Sequence, residues 1–221
     1  MTDTPTLVVF DCDGTLVDSQ GAIIATVQRA FVAEGLPAPT DTQIRERVGL
    51  SLSAFVSDLL GGLERDRVEG LMKRYREQYV IDRDARGADP LFPGIRELLD
   101  ALIARGVMLG VATGKSRRGL ESVIDAHDLR RYFVTTQSAD DAPSKPHPAM
   151  VEQAMAEAGA EPAATVMVGD SIYDIGAGIG AGAGTIGVDW GSHDARALRD
   201  AGARVVVTSV PELAHELGIE S

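Results

Sequence analysis

The stretch Leu7–Thr15, LVVFDCDGT, is the most informative part of this chain about its fold. Its first four residues form a short apolar run, which is typical of a buried strand in a parallel sheet. Asp11 and Asp13 follow at once, so we expect both carboxylates at the carboxyl end of that strand, where open α/β sheets bind ligands. Gly14 allows the chain to turn sharply away from the strand.

Strand-like runs recur along most of the chain, with helical patterns between them. Helical spacing is clearest over Ile95–Ala104, which Gly106 follows as a stop signal, and over Pro148–Ala158. This alternation predicts an α/β protein with a Rossmann-like parallel sheet that helices cover on both faces. The predicted strands are Leu7–Phe10, Val107–Ala112, Tyr132–Thr135, Thr165–Val168, Thr185–Val188 and Arg204–Val207.

One long segment, residues 19–87, breaks the alternation. It contains helical patterns and no convincing strand, and a polar stretch, Asp82–Pro90, ends it. We predict a helical cap domain inserted into an α/β core domain made of residues 1–18 and 88–221. A cap that opens and closes over the strand ends can exclude water and contact a substrate. The positions that carry the helical spacing are Ile23, Val27, Ala30, Phe31, Val68, Leu71, Met72, Tyr75 and Tyr79.

The composition of the chain indicates which binding partners and which cellular location to expect. Hydrophobic residues make up 44% of the 221 residues, which is enough for a substantial core. The formal net charge of −12 argues against nucleic acid as a partner, because phosphate backbones bind basic surfaces. We expect no membrane partner and no export, because no apolar run is long enough to span a bilayer and the N-terminus lacks a basic region. The single cysteine, Cys12, fits a cytoplasmic location, and we expect a monomer or a homodimer.

The pair Asp11 and Asp13 points to a particular chemistry. Two carboxylates this close repel each other and need a cation or a shared proton. A magnesium ion would allow Asp11 to stay ionised and act as a nucleophile, while Asp13 transfers protons. The pair therefore predicts phosphoryl transfer through an aspartyl-phosphate. Cys12 is expected to point to the opposite side of the strand and to pack in the core.

Three further motifs follow predicted strands or precede a predicted helix. They are Val111–Ser116 (VATGKS), Ser144–Pro148 (SKPHP) and Val168–Asp174 (VGDSIYD). Together with Asp11–Ser19 (DCDGTLVDS), they resemble the four motifs of the haloacid dehalogenase-like (HAD) hydrolase superfamily in type and in order. The resemblance covers essentially the whole chain, and the inserted segment looks like the helical cap of one subclass.

The resemblance implies a role for each motif in phosphoryl transfer. Asp11 would attack phosphorus, and Asp13 would protonate the leaving oxygen and then activate water. Thr113, the Gly114 backbone N–H and Lys145 would hold the phosphoryl oxygens, with the lysine also neutralising charge.

A magnesium site is implied in the same way. Mg²⁺ would be bound by Asp11, Asp170 and the backbone carbonyl of Asp13. Asp174 would support the site through a metal-bound water or through Lys145. Oxygen ligands of this kind suit magnesium better than zinc.

Several positions separate the activities within the superfamily. Asp13 argues against a dehalogenase or a phosphonoacetaldehyde hydrolase, which replace this aspartate. Ile23 stands where β-phosphoglucomutases carry a cap histidine, and the cap run Val48–Leu52 lacks their arginine. The overall pattern is similar to the phosphoglycolate phosphatase branch, which shares the run Gly187–Gly191 (GVDWG). The resemblance therefore implies a magnesium-dependent phosphatase for a small phosphorylated metabolite, with 2-phosphoglycolate as the first candidate.

Other functions stay open at this point. A β-phosphoglucomutase-like phosphotransferase, an inorganic pyrophosphatase of the same superfamily and a non-catalytic phosphoryl-binding protein would share these core motifs. The choice of substrate depends on the cap, where Gly49, Leu50 and Ser51 are candidate contacts. Lys115 is expected to be a solvent-facing or rim charge, with contact to the substrate as the alternative.

Two look-alike motifs are set aside. Gly114–Ser116 matches the end of a Walker A loop, but that motif requires a glycine where this chain has Leu109. Gly176–Ala181 fits a loose dinucleotide-binding pattern, but it does not directly follow a strand. Small residues packed against the sheet explain it better.

Overall fold

The computed structural model describes residues 4–61 and 65–219. The predicted domain ranges also include residues 1–3, 62–64 and 220–221, which lie outside the described residues. Within the described ranges, one parallel sheet has six strands, which are β1 Leu7–Phe10, β2 Met108–Ala112, β3 Phe133–Gln137, β4 Thr165–Gly169, β5 Gly184–Val188 and β6 Val205–Val207. Their spatial order is β3-β2-β1-β4-β5-β6.

The sheet confirms the predicted α/β, Rossmann-like fold class. Strand β1 pairs in parallel with β2 on one side and β4 on the other, so Phe10 lies beside both Val111 and Val168. The segments that follow these three strands therefore leave the sheet at one edge. Every predicted strand begins and ends within two residues of an observed strand.

Helices follow most of the strands and cover the sheet. The helices of the described chain, in order, are α1 Gln20–Ala33, α2 Asp41–Arg45, α3 Leu52–Leu59, α4 Arg65–Arg86, α5 Ile95–Ala104, α6 Arg117–Ala126, α7 Ala149–Ala158, α8 Ile172–Gly180, α9 Ala195–Asp200 and α10 Val210–Glu216.

Side chains of β1 alternate between two hydrophobic clusters, one on each face of the sheet. Val8, Phe10 and Cys12 pack with residues of α5, α6 and α10, whereas Leu7 and Val9 pack with residues of α7 and α8. Cys12 is buried on the side away from Asp11, which confirms its predicted orientation.

The glycines of α8 allow this helix to lie close to the sheet. A Cβ on Gly178 would lie 2.6 Å from Thr185 Cγ2 and 2.9 Å from Met167 Cβ. The glycine-rich run is therefore a packing feature, as the sequence indicates, and not a dinucleotide-binding turn.

Helices α1–α4 follow β1 and pack around a hydrophobic cluster of their own. Thr40 begins α2 with a capping box that includes Gln43, and the Ser51 hydroxyl accepts a hydrogen bond from the Ala54 N–H at the start of α3. Because these helices have a separate core, we propose that residues 19–87 form the cap domain.

Candidate active site

The carboxyl edge of the sheet brings together four residues that the sequence places in three separate motifs. Asp11 follows β1 directly, and Asp170 follows β4. Asp174 lies in the first turn of α8, and Lys145 lies in the loop before α7. Each of the four residues is at most 1% exposed.

Lys145 lies at the centre of this cluster. Its ammonium donates hydrogen bonds to Asp11 Oδ1 at 2.8 Å, to Asp174 Oδ1 at 2.5 Å and to the Ala112 carbonyl oxygen at 3.0 Å. All three N–H groups of the ammonium are therefore used. Burial lowers the pKa of Lys145, but the charges of Asp11 and Asp174 raise it by more, so the lysine stays protonated.

Asp170 is held by two donors and by close backbone packing. Thr15 Oγ1 donates to Asp170 Oδ1 at 2.8 Å, and the Ser192 N–H donates to Oδ2 at 2.7 Å. Gly14 has a φ of +82°, and a Cβ on either Gly14 or Gly191 would overlap the Asp170 side chain. The chain can approach this carboxylate so closely only because both positions are glycine.

Asp174 is fixed by the N-terminus of its own helix. Ser171 and Asp174 form a capping box, in which Asp174 Oδ2 accepts from the Ser171 N–H at 3.0 Å and from Ser171 Oγ at 2.6 Å. Because Oδ1 already accepts from Lys145, protein groups engage both oxygens of Asp174. This residue is therefore arranged to position the lysine.

The cluster carries more negative than positive charge. Oxygens of Asp11, Asp170 and Asp174 lie within 4.8 Å of one another around one ammonium. Burial raises the pKa of Asp11 well above its usual range, although Lys145 opposes part of the rise. Burial also raises the pKa of Asp170 to about 6, and the Asp174 charge adds to that rise. These oxygens and their excess charge fit a hard divalent cation such as Mg²⁺.

Only one of the two carboxylate oxygens of Asp11 takes part in these hydrogen bonds. Its Oδ2 is buried and has no hydrogen-bond partner in the described part of the chain. A buried carboxylate oxygen without a partner is costly, so such an atom needs a ligand or a functional explanation.

Asp13 lies outside this cluster and has different partners. Its carboxylate accepts a hydrogen bond from Ser19 Oγ at 2.5 Å and pairs with Lys115 Nζ at 2.8 Å. The Lys115 side chain is only 10% exposed, and its ammonium lies 5.6 Å from the ring centre of Tyr79 in α4. The expectation that Lys115 faces solvent is therefore wrong, because Tyr79 lies over it and Asp13 neutralises it, and Lys115 instead lines the cavity between cap and core. Burial lowers the pKa of Lys115, but Asp13 and Tyr79 raise it by more.

The second motif meets the cap. Thr113 is buried at the end of β2, where its N–H donates to the Gln137 carbonyl oxygen at 3.0 Å. A Cβ on Gly114 would overlap the carbonyl oxygen of Leu50 and would lie 2.8 Å from that of Gly49. The predicted cap contacts Gly49 and Leu50 therefore lie directly on the predicted phosphate-binding glycine.

Two further hydrogen bonds join the cap to the core. The Ser51 N–H donates to Ser144 Oγ at 2.8 Å, immediately before Lys145 in the chain. Tyr173 Oη donates to the Glu46 carbonyl oxygen at 2.9 Å. The structure is thus in a closed arrangement, in which residues 49–51 of the cap lie over the carboxyl edge of the sheet.

A cavity of about 430 Å³ lies between the cap and the core. Its floor includes Asp11, Asp13, Thr113 and Gly114, whereas Lys145, Asp170 and Asp174 do not line it. The residues that the cap contributes include Ile23, Val27, Val48, Gly49, Leu50, Ser51, Phe55, Met72, Tyr75 and Tyr79.

Sequence reasoning missed several residues that hold the site in place. Thr15 and Ser19 lie within the first motif, so their position was a usable signal for contacts to the acidic side chains. The partnership of Lys115 with Asp13, and the exposure of Tyr75 and Tyr79 to the cavity, had no local signal, because each depends on how the cap sits over the core.

The comparisons with known proteins identify the family of this chain. The chain belongs to the haloacid dehalogenase-like hydrolase family, whose family model matches residues 8–188. It is an enzyme of this family, a HAD-type phosphatase.

Two curated relatives and one solved structure illustrate the similarity. The chain is 35% identical to a probable phosphatase, IndB, of Dickeya dadantii over 94% of this chain and 91% of the relative. It is 30% identical to phosphoglycolate phosphatase 1 of Pseudomonas aeruginosa over 96% of this chain and 79% of the relative. A hydrolase from Pseudomonas syringae matches the structure with a TM-score of 0.87 at 26% identity, over 96% of this chain and 98% of that chain.

No helix in the described part of the chain is both long enough and apolar enough to span a bilayer.

Proposed function

We propose that this protein is a magnesium-dependent phosphatase that hydrolyses a small phosphate monoester through an aspartyl-phosphate on Asp11. The environment of the Asp11 carboxylate carries this proposal. Lys145 holds Oδ1, whereas Oδ2 has no partner among the described residues, and Asp11 lines the cavity. A carboxylate that is fixed through one oxygen keeps the other for attack on phosphorus.

Asp11, Asp170 and the backbone carbonyl of Asp13 would hold the magnesium ion, and Asp174 would support the site through Lys145. When bound, Mg²⁺ offsets the negative charge of the carboxylates and of the phosphoryl group. The excess of carboxylates over ammonium groups in this cluster supports that assignment.

Asp13 transfers the protons in both steps. It protonates the leaving oxygen as Asp11 attacks phosphorus, and it then takes a proton from the water that hydrolyses the aspartyl-phosphate. Ser19 and Lys115 hold the Asp13 carboxylate in place for both transfers.

Thr113 and the Gly114 N–H would bind the phosphoryl oxygens in the cavity, and Lys145, which holds Asp11 Oδ1 from beneath, would add its positive charge. Cap residues Gly49, Leu50 and Ser51 close the site above Gly114 and help to exclude bulk water.

Hydrolysis is favoured over the mutase alternative by one side chain. Ile23 lines the cavity at the position where β-phosphoglucomutases carry a histidine, and an aliphatic group cannot transfer a proton. The similarity to phosphoglycolate phosphatase 1 makes 2-phosphoglycolate the first ester to test, with pyrophosphate and β-glucose 1-phosphate as the alternatives. We further propose a cytoplasmic monomer or homodimer, in keeping with the free, buried Cys12.

Phosphate release with these compounds in the presence of Mg²⁺ tests the proposal, with Asp11→Asn as the matched variant. We expect release from at least one monoester, and we expect EDTA or Asp11→Asn to abolish it, because the amide is a far weaker nucleophile. Release that persists in Asp11→Asn would overturn the aspartyl-phosphate route. Conversion of glucose 1-phosphate to glucose 6-phosphate without phosphate release would identify a mutase.

A further inference from the structure

The cavity above Asp11 and Asp13 is larger than the phosphoryl group needs. Its volume of about 430 Å³ lies within the range of roughly 300–1,000 Å³ that holds an organic ligand of moderate size. The space beyond the phosphoryl site must therefore accommodate the alcohol part of the ester. The chemistry of its walls indicates what that alcohol is.

One part of the cap wall of the cavity is apolar and aromatic, beside polar and charged side chains such as Ser53, Arg83 and Asp84. Val27, Phe55 and Met72 line it together with Tyr75 and Tyr79. The two tyrosine rings lie one turn apart on α4, with their centres 6.1 Å apart and their planes inclined by 25°. They form a broad aromatic surface, which favours an apolar or aromatic partner over a small charged one.

This aromatic surface extends close to the groups that carry out the reaction. The Tyr79 ring lies beside the Lys115 ammonium. A ring attached to the leaving oxygen would therefore meet aromatic side chains within a short distance of Asp13.

Four cationic side chains also line the cavity, and they differ in their partners. Lys115 is already paired with Asp13, and an Arg83 guanidinium N–H donates to the Ser122 carbonyl oxygen at 3.2 Å. The remaining lining cations, Arg76 and Arg118, are exposed. Lys115 is thus neutralised, whereas Arg83 keeps further N–H groups, so an acidic ester is the matched competitor of an aromatic one.

We propose that the preferred substrate is a phosphate monoester whose alcohol carries an apolar or aromatic ring, which packs against Tyr75, Met72 and Phe55 in the closed cap. This inference rests on the proposed phosphatase function and specifies its substrate class. The cap then binds the substrate through contacts with this ring and not through contacts with a second acidic group of the substrate.

Two matched esters test the proposal directly. Benzyl phosphate and 2-phosphoglycolate differ only in a phenyl group that replaces a carboxylate, and both leave as primary alcohols. We expect kcat/KM for benzyl phosphate to exceed that for 2-phosphoglycolate by about tenfold or more, since a buried aromatic contact contributes on this scale.

Variants of α4 assign the preference to the aromatic wall. Tyr75→Ala should reduce the ratio of the two kcat/KM values by about tenfold, and Tyr75→Leu, which keeps an apolar body, by less. Ile81→Ala is the control, because Ile81 lies on the same helix, is 62% exposed and does not line the cavity. We expect it to change the ratio by less than about twofold.

Binding of inert analogues keeps the test independent of turnover. Benzylphosphonate and phosphonoacetate form the corresponding non-hydrolysable pair, and calorimetry should show tighter binding of benzylphosphonate in the wild type and Ile81→Ala but not in Tyr75→Ala. The substrate class would be overturned if benzylphosphonate bound no more tightly than phosphonoacetate. It would also be overturned if kcat/KM were higher for 2-phosphoglycolate and the ratio did not change in Tyr75→Ala. The phosphatase assignment would stand in both cases. If no ester is hydrolysed but benzylphosphonate binds to the wild type and not to Tyr75→Ala, the proposed phosphatase function fails. The assignment of Tyr75 to a ring-binding surface is then still supported.

Discussion

A single buried ammonium, that of Lys145, balances two carboxylates at the catalytic edge of the sheet. Its hydrogen bonds to Asp11 and Asp174 replace the water that all three groups lose on folding. Asp11 nevertheless keeps a raised pKa, because burial outweighs the attraction of the lysine. Burial therefore opposes the ionised form of Asp11, and the Lys145 charge offsets only part of that effect.

Removing the Lys145 charge should destabilise the protein as well as inactivate it. We expect Lys145→Met to lower the free energy of unfolding by about 3–5 kcal/mol, because it leaves buried carboxylates without their partner. Urea unfolding followed by circular dichroism measures this change. Lys73→Met, at an exposed position of α4, is the control and should shift the free energy by about 0.5 kcal/mol at most. A Lys145→Met protein as stable as the control would show that the cluster is not charged as described.

At the scale of elements, one carboxylate joins the two long helices of the cap. Asp82 in α4 accepts hydrogen bonds from Thr26 Oγ1 at 2.8 Å and Arg29 Nη2 at 2.6 Å in α1. Its other oxygen accepts from Gln78 Nε2 at 2.8 Å within α4. Burial raises the pKa of Asp82, but these hydrogen bonds lower it by more, so the net shift is downward.

Asp82→Asn should weaken the pairing of α1 with α4. Hydrogen bonds to a charged group contribute about 1.5–3 kcal/mol, so we expect a loss of this order near neutral pH. A carboxyl whose pKa is lower in the folded state stabilises the protein above its ordinary pKa of 3.8, and that contribution is lost as the pH falls through the folded value. The difference between the wild type and Asp82→Asn should therefore shrink below pH 3.8. Asp84→Asn, at an exposed position of the same helix, should show neither the loss nor this pH dependence.

At the scale of the whole molecule, the site is complete only when the cap lies on the core. The Leu50 carbonyl is packed against Gly114, and Tyr79 covers the ion pair between Lys115 and Asp13. The floor of the cavity is built by the sheet and its ceiling by α1, α3 and α4. Opening the cap would therefore admit substrate, and closing it would assemble the chamber around the reacting groups.

Gly114→Ala tests this dependence on closure. Its Cβ would overlap the Leu50 backbone, which cannot move as freely as a side chain, so the cap would have to stand further from the core. We expect kcat/KM to fall by about 10- to 100-fold, because small misplacements of reacting groups have effects of this size. Steady-state kinetics on the best substrate measures it.

Gly70→Ala is the matched control for this substitution. A Cβ at Gly70 in α4 would come no closer than 3.9 Å to any neighbour, and Gly70 does not line the cavity. It should leave kcat/KM nearly unchanged and should stabilise the helix slightly. Equal kinetics for the two alanine variants would show that contact between Leu50 and Gly114 is not needed for activity.

Much of this architecture is readable from local patterns. The apolar run Leu7–Phe10 and the later strand-like runs predict a parallel sheet, and the ends of parallel strands meet at one edge. Residues that directly follow those strands, such as Asp11, Thr113 and Asp170, therefore lie close together, and their proximity does not depend on the conformation of the connecting loops. The physical reason is that a strand can be recognised from a few consecutive residues. Pairing of the strands in the sheet then brings residues together that are far apart in the sequence.

The contacts between the cap and the core become visible only in the folded protein. Lys115 follows Gly114 in a loop that reads as exposed, yet the ion pair with Asp13 and the ring of Tyr79 bury it. The helical spacing of Tyr75 marks an inward-facing position, but the same spacing fits a side chain buried in the cap core or one that lines a cavity. These outcomes depend on the distance and orientation between two separately packed units, which the sequence of neither unit encodes locally. Local patterns in the sequence indicate the sheet, its carboxyl edge and the candidate residues that follow its strands, whereas the packing of the cap on the core forms the chamber in which those residues would act.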